Sequence, residues 1–242
     1  MNVVKIMGGL GNQLFQYAFA QSLGGDVGLD VSYYTSDYNS RPDIAHREYR
    51  LPCFVDGLIY EREEGHERVN QWEYDKARKY KDSFFFGDWQ KMSFFDGLDL
   101  NIRLKEEYIS EAARFYERYM KRENSVAIHV RRTDYVSLGW MLDMSYYTKA
   151  MKLMEKKVEK PHFYVFCDDK GLIVPYENME FVHISELDDF YMMTQCKHNI
   201  IANSTYSFWA AYLNENDNIV IYPEDWKCPS PVDIKKERWF AV

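Results

Sequence analysis

Residues 3–31, VVKIMGGLGNQLFQYAFAQSLGGDVGLDV, form the stretch that decides the fold class. Residues 3–7 predict a short buried strand, and the glycine-rich 8–11 predict a loop. Residues 12–23 repeat apolar side chains at helical spacing, and 27–31 predict a second strand. A strand, a loop, a helix and a second strand in this order are typical of a parallel α/β unit.

The second half of the chain repeats this alternation more regularly. Short apolar runs predict five strands, at 126–130, 163–167, 181–184, 199–202 and 219–222. Helical runs between most of them favour a parallel sheet covered on both faces. We therefore predict an α/β protein with two Rossmann-like domains, 1–122 and 123–242, that face each other across a ligand cleft at the carboxyl ends of the strands. Residues 33–82 have weak periodicity and are predicted to be irregular.

The composition is that of a folded, acidic protein of 242 residues, with a net charge of 30 − 38 = −8. The acidic balance argues against a general nucleic-acid partner. No apolar run approaches the roughly 18 residues of a membrane span, so we expect no integral membrane segment. The N-terminus lacks signal-peptide features, and the four cysteines form no CxxC pair. These features predict a cytoplasmic protein with free thiols, either soluble or peripheral to the inner face of the membrane.

The glycine-rich loop at 8–13 is open to more than one interpretation. Gly9-x-Gly11 with Asp30 about 20 residues on resembles a dinucleotide fingerprint, but Leu14 occupies the place of the third glycine and argues against NAD or FAD. The loop is then either a tight turn without a ligand or the lining of a cleft. Its candidate cleft residues are Gly8, Gly9, Gly11, Asn12 and Gln13.

Two adjacent arginines follow the first strand of the second half, in the segment His129-Val130-Arg131-Arg132-Thr133-Asp134. The planar fork of an arginine matches phosphate oxygens, and Asp134 could hold one guanidinium in place. A surface Arg–Asp pair is the simpler alternative. The position at a strand exit favours anion binding.

Two further strand exits carry polar groups. Asp168 and Asp169 could accept the paired N–H donors of a guanine; a metal is the rival, but the chain contains no Asp-x-Asp pair. Asn203, Ser204 and Thr205 open a predicted helix, where hydroxyl and N–H groups suit a phosphate, although plain helix capping is as good an explanation. Together the three exits offer what a nucleoside diphosphate needs, without naming the nucleotide.

The chain resembles the α-1,2-fucosyltransferases of glycosyltransferase family 11. The resemblance is carried by three segments in the family's order: GGLGNQLFQYA at 8–18, HVRRTDY at 129–135 and CKHNIIANSTYSFWAA at 196–211. Weaker similarity lies at 87–90 and 146–150. The resemblance implies a two-domain GT-B fold, a GDP-β-L-fucose donor, inversion at the anomeric carbon, and no required metal or cofactor.

The resemblance also implies roles for individual residues. Arg131 would grip the diphosphate as the catalytic cation, with Arg132 beside it and His129 near the nucleoside. Asp168 or Asp169 would bind guanine, Asn203, Ser204 and Thr205 would meet the phosphates, and the loop at 8–13 would line the cleft.

The acceptor implied by the resemblance is a galactose 2-hydroxyl on an oligosaccharide or a bacterial surface polysaccharide. Residues 33–82 follow the family pattern poorly, which leaves the acceptor side open. The general base is not identified among Asp30, His46, Glu48 and Asp88. The rival functions are a transferase that uses another nucleotide sugar and a nucleotide-binding module without turnover.

Overall fold

The computed structural model describes residues 1–42, 44–73, 80–122, 124–167, 178–227, 233–234 and 236–242, with the side chain of Thr133 left out. The chain divides into two compact units. The first is Met1–Arg103 with Ser230–Asp233, and the second is Leu104–Pro229 with Ile234–Val242.

The first unit is built on a parallel four-stranded sheet in the order β2-β1-β4-β3. Its strands are β1 (Asn2–Lys5), β2 (Val27–Asp30), β3 (Glu67–Asn70) and β4 (Ser83–Phe86). Helix α1 (Leu10–Leu23) connects β1 to β2. The predicted strand–loop–helix–strand opening is therefore confirmed.

Helix α1 is buried around most of its circumference, as expected for a helix inside a core rather than on a surface. Phe19 stacks on Trp89 with ring centroids 4.0 Å apart, and both side chains are fully buried. The fully buried Gln16 accepts a hydrogen bond from Met7 N at 2.9 Å and donates one to Gly87 O at 3.3 Å. Its amide thus satisfies backbone groups of the strand exits that flank the helix.

The second unit is built on a parallel six-stranded sheet in the order β10-β9-β8-β5-β6-β7. Its strands are β5 (Ser125–Val130), β6 (His162–Cys167), β7 (Met179–Phe181), β8 (His198–Ile200), β9 (Val220–Tyr222) and β10 (Trp239–Ala241). Its helices are α2 (Glu111–Met120), α3 (Thr133–Leu138), α4 (Met144–Lys157), α5 (Glu186–Gln195) and α6 (Thr205–Tyr212). The apolar stripe of α4 packs on one face of this sheet, as its periodicity predicts.

The boundary between the units falls earlier in the chain than the predicted stretch 121–124. Helix α2 belongs to the second unit because its N-terminus is bound to α5: Ser110 N donates to Asp188 Oδ1 at 2.9 Å. Arg114 of α2 also donates to the hydroxyl of Tyr191 on α5. Lys121, Arg122 and Asn124 therefore lie between α2 and β5 of the same unit.

Two edge strands were not predicted. β3 lies within the region 33–82 and reads Glu-Arg-Val-Asn, with Val69 as its single apolar residue. β10 is three residues long. A short edge strand is specified by backbone pairing on one side, so its sequence carries little of the apolar pattern that marks a central strand.

Candidate active site

Three strand exits that the sequence singles out belong to neighbouring strands, because β5 lies between β8 and β6. Val130 at the end of β5 is in register with Cys167 at the end of β6, and Ile128 with Ile200 of β8. The carboxyl ends of parallel strands share one edge of a sheet, which is where α/β proteins bind ligands. Asp168 and Asp169, the predicted guanine ligands, lie outside the described residues.

Arg131 leaves the end of β5 and is held from two sides. Its Nη2 lies 2.7 Å from Asp134 Oδ1, and the two side chains are 20% and 24% exposed. Its guanidinium also lies over the ring of Tyr135, 5.5 Å from the centroid. Both contacts fix the direction of a partly exposed cation. Arg132, the next residue, is also partly exposed and immediately precedes α3.

Tyr135 connects the β5 exit to the β8 exit. Its hydroxyl donates to Asn203 O at 3.2 Å, while Asn203 Nδ2 donates to Trp140 O at 2.8 Å. Asn203 is only 1% exposed. Asn203 therefore connects the two loops, and its contact with the donor stays a prediction.

Helix α6 starts directly after Ser204 at the β8 exit. The Ser204 hydroxyl makes no capping hydrogen bond, although Ser204 O accepts the bond from Phe208 N at 3.0 Å that begins the helix. No acidic residue lies in the first turn either. Plain capping by Ser204 is therefore not what the structure shows. The helix presents N–H groups and its positive dipole end beside a partly exposed Thr205.

His129 is the next-to-last residue of β5 and lies in a cluster of aromatic and acidic side chains. The sequence analysis did not predict this cluster. His129 is 5% exposed, and its ring centroid lies 5.3 Å from that of Tyr206. The ring centroid of Tyr206 lies 5.4 Å from that of Phe190 of α5. The Tyr206 hydroxyl donates a hydrogen bond to Glu186 O at 2.5 Å. Burial raises the pKa of Tyr206, nearby Asp189 and Glu186 add to the rise, and Arg131 opposes it.

Asp189 is the acidic member of this cluster. Its Oδ1 accepts from Ile184 N at 3.0 Å, and its Oδ2 lies 2.7 Å from His183 Nδ1. Burial raises the pKa of Asp189, and the bonds from Ile184 and His183 partly offset that rise. The sequence offered one signal here, Ser185 followed three residues later by Asp188, which is a helix-capping pattern. It identifies a helix start and says nothing about Tyr206.

The predicted cleft loop of the first unit divides into exposed and buried members. Gly8 has φ +79°, and a side-chain carbon there would lie 2.9 Å from Asn12 Nδ2, so the turn requires glycine. Gln13 is fully buried, donates to Gly8 O and Glu48 O, and accepts from Arg50 N. Gly11 is buried as well, whereas Gly8, Gly9 and Asn12 are partly exposed. Gly11 and Gln13 are therefore buried within the loop, and the lining of a cleft by this loop stays a prediction.

Arg47 is the residue that the sequence analysis missed in this unit. A side-chain carbon on Gly9 would lie 3.9 Å from Arg47 Nε, which places the guanidinium beside the start of α1. Burial raises the pKa of Tyr33 and of Tyr34, and the charge of Arg47 opposes the rise in both. The fully buried Asn39 holds the Arg47 backbone through bonds of 2.9 and 3.0 Å. Arg47 lies in the aperiodic region 33–82, where no pattern marks it.

The family model of Glycosyl transferase family 11 matches residues 70–241 of the chain, which is well over half of it. The chain belongs to glycosyltransferase family 11. The matched range includes the exits at 129–134 and 203–205 and excludes the loop at 8–13 and Arg47.

Several curated proteins are similar to this family 11 chain over most of its length. The O-antigen biosynthesis glycosyltransferase WbnK of Escherichia coli is 28% identical over 91% of this chain and 93% of its own. An alpha-1,2-colitosyltransferase of Escherichia coli is 27% identical over 93% and 91%. The galactoside alpha-(1,2)-fucosyltransferase 2 of Rattus norvegicus is 26% identical over 91% and 69%. The chain is therefore an enzyme that transfers a glycosyl group.

The fold comparison agrees with this assignment. The crystal structure of the fucosyltransferase NodZ from Bradyrhizobium superposes with a TM-score of 0.51 at 14% identity, covering 87% of this chain and 91% of NodZ. At 14% identity, this structural similarity supports an assignment of the fold alone. It confirms the predicted α/β fold of the GT-B type.

The four general-base candidates of this glycosyltransferase lie in the first unit in different environments. Burial alone would raise the pKa of Asp30, but hydrogen bonds from Ser32 and the charge of Lys5 outweigh burial and lower it. Glu48 pairs with Arg50. His46 is exposed with Nδ1 3.2 Å from Asn39 O, and Asp88 is partly exposed. The lowered pKa of Asp30 counts against it as the general base.

The residues that the structure describes hold no group of three or more His, Cys, Asp or Glu side chains close enough to bind a metal ion. In the same part of the chain, no helix has the length and apolar character needed to cross a membrane.

Proposed function

We propose that this enzyme transfers L-fucose from GDP-β-L-fucose to the 2-hydroxyl of a galactose unit, with inversion at the fucose C1. One observation carries the proposal: in a family 11 chain, Arg131 and the start of α6 lie at the exits of adjacent strands. The Ser204 side chain makes no capping bond at that helix start. Both features favour an anion, and a nucleotide sugar is the anionic substrate of glycosyl transfer.

The second unit is assigned to the donor. The diphosphate is bound by the Arg131 fork and by the N–H groups at the start of α6. Asp134 and the Tyr135 ring keep the guanidinium pointed at it. As the bond between fucose and GDP breaks, negative charge grows on the leaving phosphate. Preorganised donors stabilise that charge most strongly in the transition state.

The first unit is assigned to the acceptor, with Gly8, Gly9, Asn12 and Arg47 as its contact residues. The acceptor hydroxyl attacks fucose C1 from the side opposite GDP, which converts the β-linked donor into an α-linked product. A base removes the hydroxyl proton. His46, Glu48 and Asp88 remain the candidates for this base, because the lowered pKa of Asp30 counts against it.

We propose that the reaction needs no metal and no cofactor, since Arg131 and the helix start supply the positive charge that a divalent ion supplies elsewhere. A cytoplasmic location, at the inner face of the membrane, fits a polysaccharide acceptor. A second donor is favoured by one observation: a similar protein of Escherichia coli is an alpha-1,2-colitosyltransferase, so a nucleotide-linked colitose is the second candidate for the donor of this enzyme.

Nucleotide selectivity tests the donor assignment. We expect GDP to bind at least about a hundredfold more tightly than UDP or ADP, because a base pocket built to hydrogen-bond guanine leaves its own polar groups unpaired with another base. Isothermal titration calorimetry with the three nucleotides and NADH measures this. The carboxylates proposed to bind guanine are Asp168 and Asp169.

The matched variant is Asp168→Asn with Asp169→Asn, which keeps the size of both side chains. It should reduce the preference for GDP over UDP while leaving the diphosphate contacts intact. Equal affinity of the unaltered enzyme for all three nucleotides would contradict the guanine assignment, and tight NADH binding would favour an oxidoreductase.

A further inference from the structure

The outer side of helix α2 carries exposed aromatic rings in the middle of a charged surface. Phe115 and Tyr119 are 53% and 47% exposed, and their ring centroids lie 5.2 Å apart. Glu111 and Arg118 are exposed on the same helix, and Arg122 is exposed in the turn that follows its end at Met120. Successive residues of a helix are rotated by about 100° about its axis. Counted in this way, the side chains of Glu111, Phe115, Arg118, Tyr119 and Arg122 all lie within about 60° of the direction of Phe115. We call these five residues the α2 outer face.

The opposite side of the helix is anchored in the second unit. Ala113 and Met120 are fully buried, and Ser110 and Arg114 bond to α5 as described above. The helix is therefore a fixed part of the fold, and the outer face is a preformed surface. Contiguous exposed apolar surface rimmed by polar residues marks interaction sites on soluble proteins.

The charged side chains of the α2 outer face differ from those at its edges in their ion pairing. Arg114 pairs with Glu106 and Glu117, and Lys121 pairs with Glu117. Within the described part of the chain, no ion pair engages Glu111, Arg118 or Arg122. The outer face thus holds one carboxylate at its N-terminal end and two guanidinium groups toward its C-terminal end, with the rings between them.

This arrangement is complementary to itself when two copies of α2 run antiparallel. With a two-fold axis between residues 116 and 117, Glu111 of one copy faces Arg122 of the other, and the reverse pair forms by symmetry. Phe115 then faces Arg118 and Tyr119 of the second copy, which permits cation–π and ring–ring contacts. We propose that the α2 outer face is the interface of a homodimer with antiparallel α2 helices.

Two other arrangements fit the same residues less well. A parallel pair would place Glu111 on Glu111 and Arg118 on Arg118, which sets like charges against each other. An anionic membrane would attract this face only weakly. One carboxylate and two arginines leave a net charge of about +1, so the electrostatic attraction is on the order of that of one basic residue near a lipid surface. The inference is independent of which sugar the enzyme transfers.

Charge reversal tests the pairing directly. We expect the whole enzyme to dimerise weakly, in the micromolar range, because one helix face is smaller than a standard interface. Sedimentation equilibrium over a concentration series measures the dissociation constant. Glu111→Arg alone and Arg122→Glu alone should each weaken self-association at least about tenfold, because each creates two like-charge contacts across the axis.

Mixing the two variants gives the decisive result. The Glu111→Arg variant has arginine at positions 111 and 122, and the Arg122→Glu variant has glutamate at both. In a mixed dimer, position 111 of each copy therefore again faces an opposite charge at position 122 of the other copy. We expect the equimolar mixture to dimerise at least about tenfold more tightly than either variant alone. Recovery in the mixture also shows that both variants are folded.

The control is Lys152→Glu, the same change of charge on the exposed side of α4, which should leave the dissociation constant unchanged. A wild-type enzyme that stays monomeric at hundreds of micromolar would overturn the proposal, as would a mixture no tighter than its components. Binding of the monomer to phosphatidylglycerol vesicles that is lost in Phe115→Ala would show instead that the face meets a membrane.

Discussion

Replacing Arg131 with alanine should lower kcat about a hundredfold or more while the protein stays folded. The guanidinium is fixed by Asp134 at 2.7 Å and by the Tyr135 ring, so it is directed before the donor binds. Its strongest contact forms when GDP leaves with full charge. Loss of one such preorganised donor typically costs on the order of 3 kcal/mol of transition-state stabilisation.

Arg131→Lys separates geometry from charge. Lysine keeps the positive charge and loses the planar fork, so we expect a loss of about the same size as for alanine. Steady-state rates with GDP-fucose and a galactoside, with circular dichroism to check the fold, measure both variants. Arg238, which pairs with Asp217 on the surface of the same unit, is the matched control, and Arg238→Ala should stay within a few-fold of wild type.

The alternative for Arg131 is a surface ion pair without a ligand, which is worth about 0–1 kcal/mol. Folded Arg131→Ala with fucose transfer within a few-fold of wild type would establish that alternative. It would also remove the observation on which the donor assignment rests.

Replacing Ser204 with aspartate should abolish most donor binding, with GDP affinity at least about a hundredfold lower. A carboxylate at this position would cap the N–H groups at the start of α6 and repel the diphosphate that we place there. The side chain of the unaltered serine makes no capping bond there. Calorimetry with GDP measures the loss, and circular dichroism checks the fold of the variant, because Ser204 is only 6% exposed and a carboxylate there is costly to bury.

Ser204→Asn provides the control for that substitution. Asparagine caps a helix about as well as aspartate and adds no charge. A large loss with aspartate and a modest one with asparagine would attribute the effect to charge against the phosphates. Equal and small effects of the two substitutions would show that the start of α6 does not meet the donor.

The fold was predictable where the apolar pattern is complete. Residues 126–130 are apolar except for His129, as expected for the central strand β5, which is buried on both faces. Residues 12–23 repeat apolar residues at helical spacing, and most of α1 is enclosed by the core. The edge strands β3 and β10 escaped prediction because pairing on one side requires few apolar residues. The boundary was misplaced because the bonds from Ser110 and Arg114 to α5 connect residues far apart in the chain.

The candidate site was predictable in its residue types and less so in their roles. Arg131 and Ser204 follow strands, so their meeting at one sheet edge follows from topology. The burial of Asn203 and Gln13 could not be inferred, because each is fixed by backbone groups of distant loops, Trp140 and Glu48 among them. Arg47 and the contact between His129 and Tyr206 depend on tertiary packing alone.

The central claim is tested most directly by the structure of the product. The enzyme is incubated with GDP-β-L-fucose and a β-galactoside in the presence of EDTA, and the purified product is examined by NMR. We predict a fucose joined to galactose O2 in the α configuration, formed at an undiminished rate under chelation. A β-linked fucose, a different linkage position, or activity that EDTA abolishes and Mg²⁺ or Mn²⁺ restores would contradict the account.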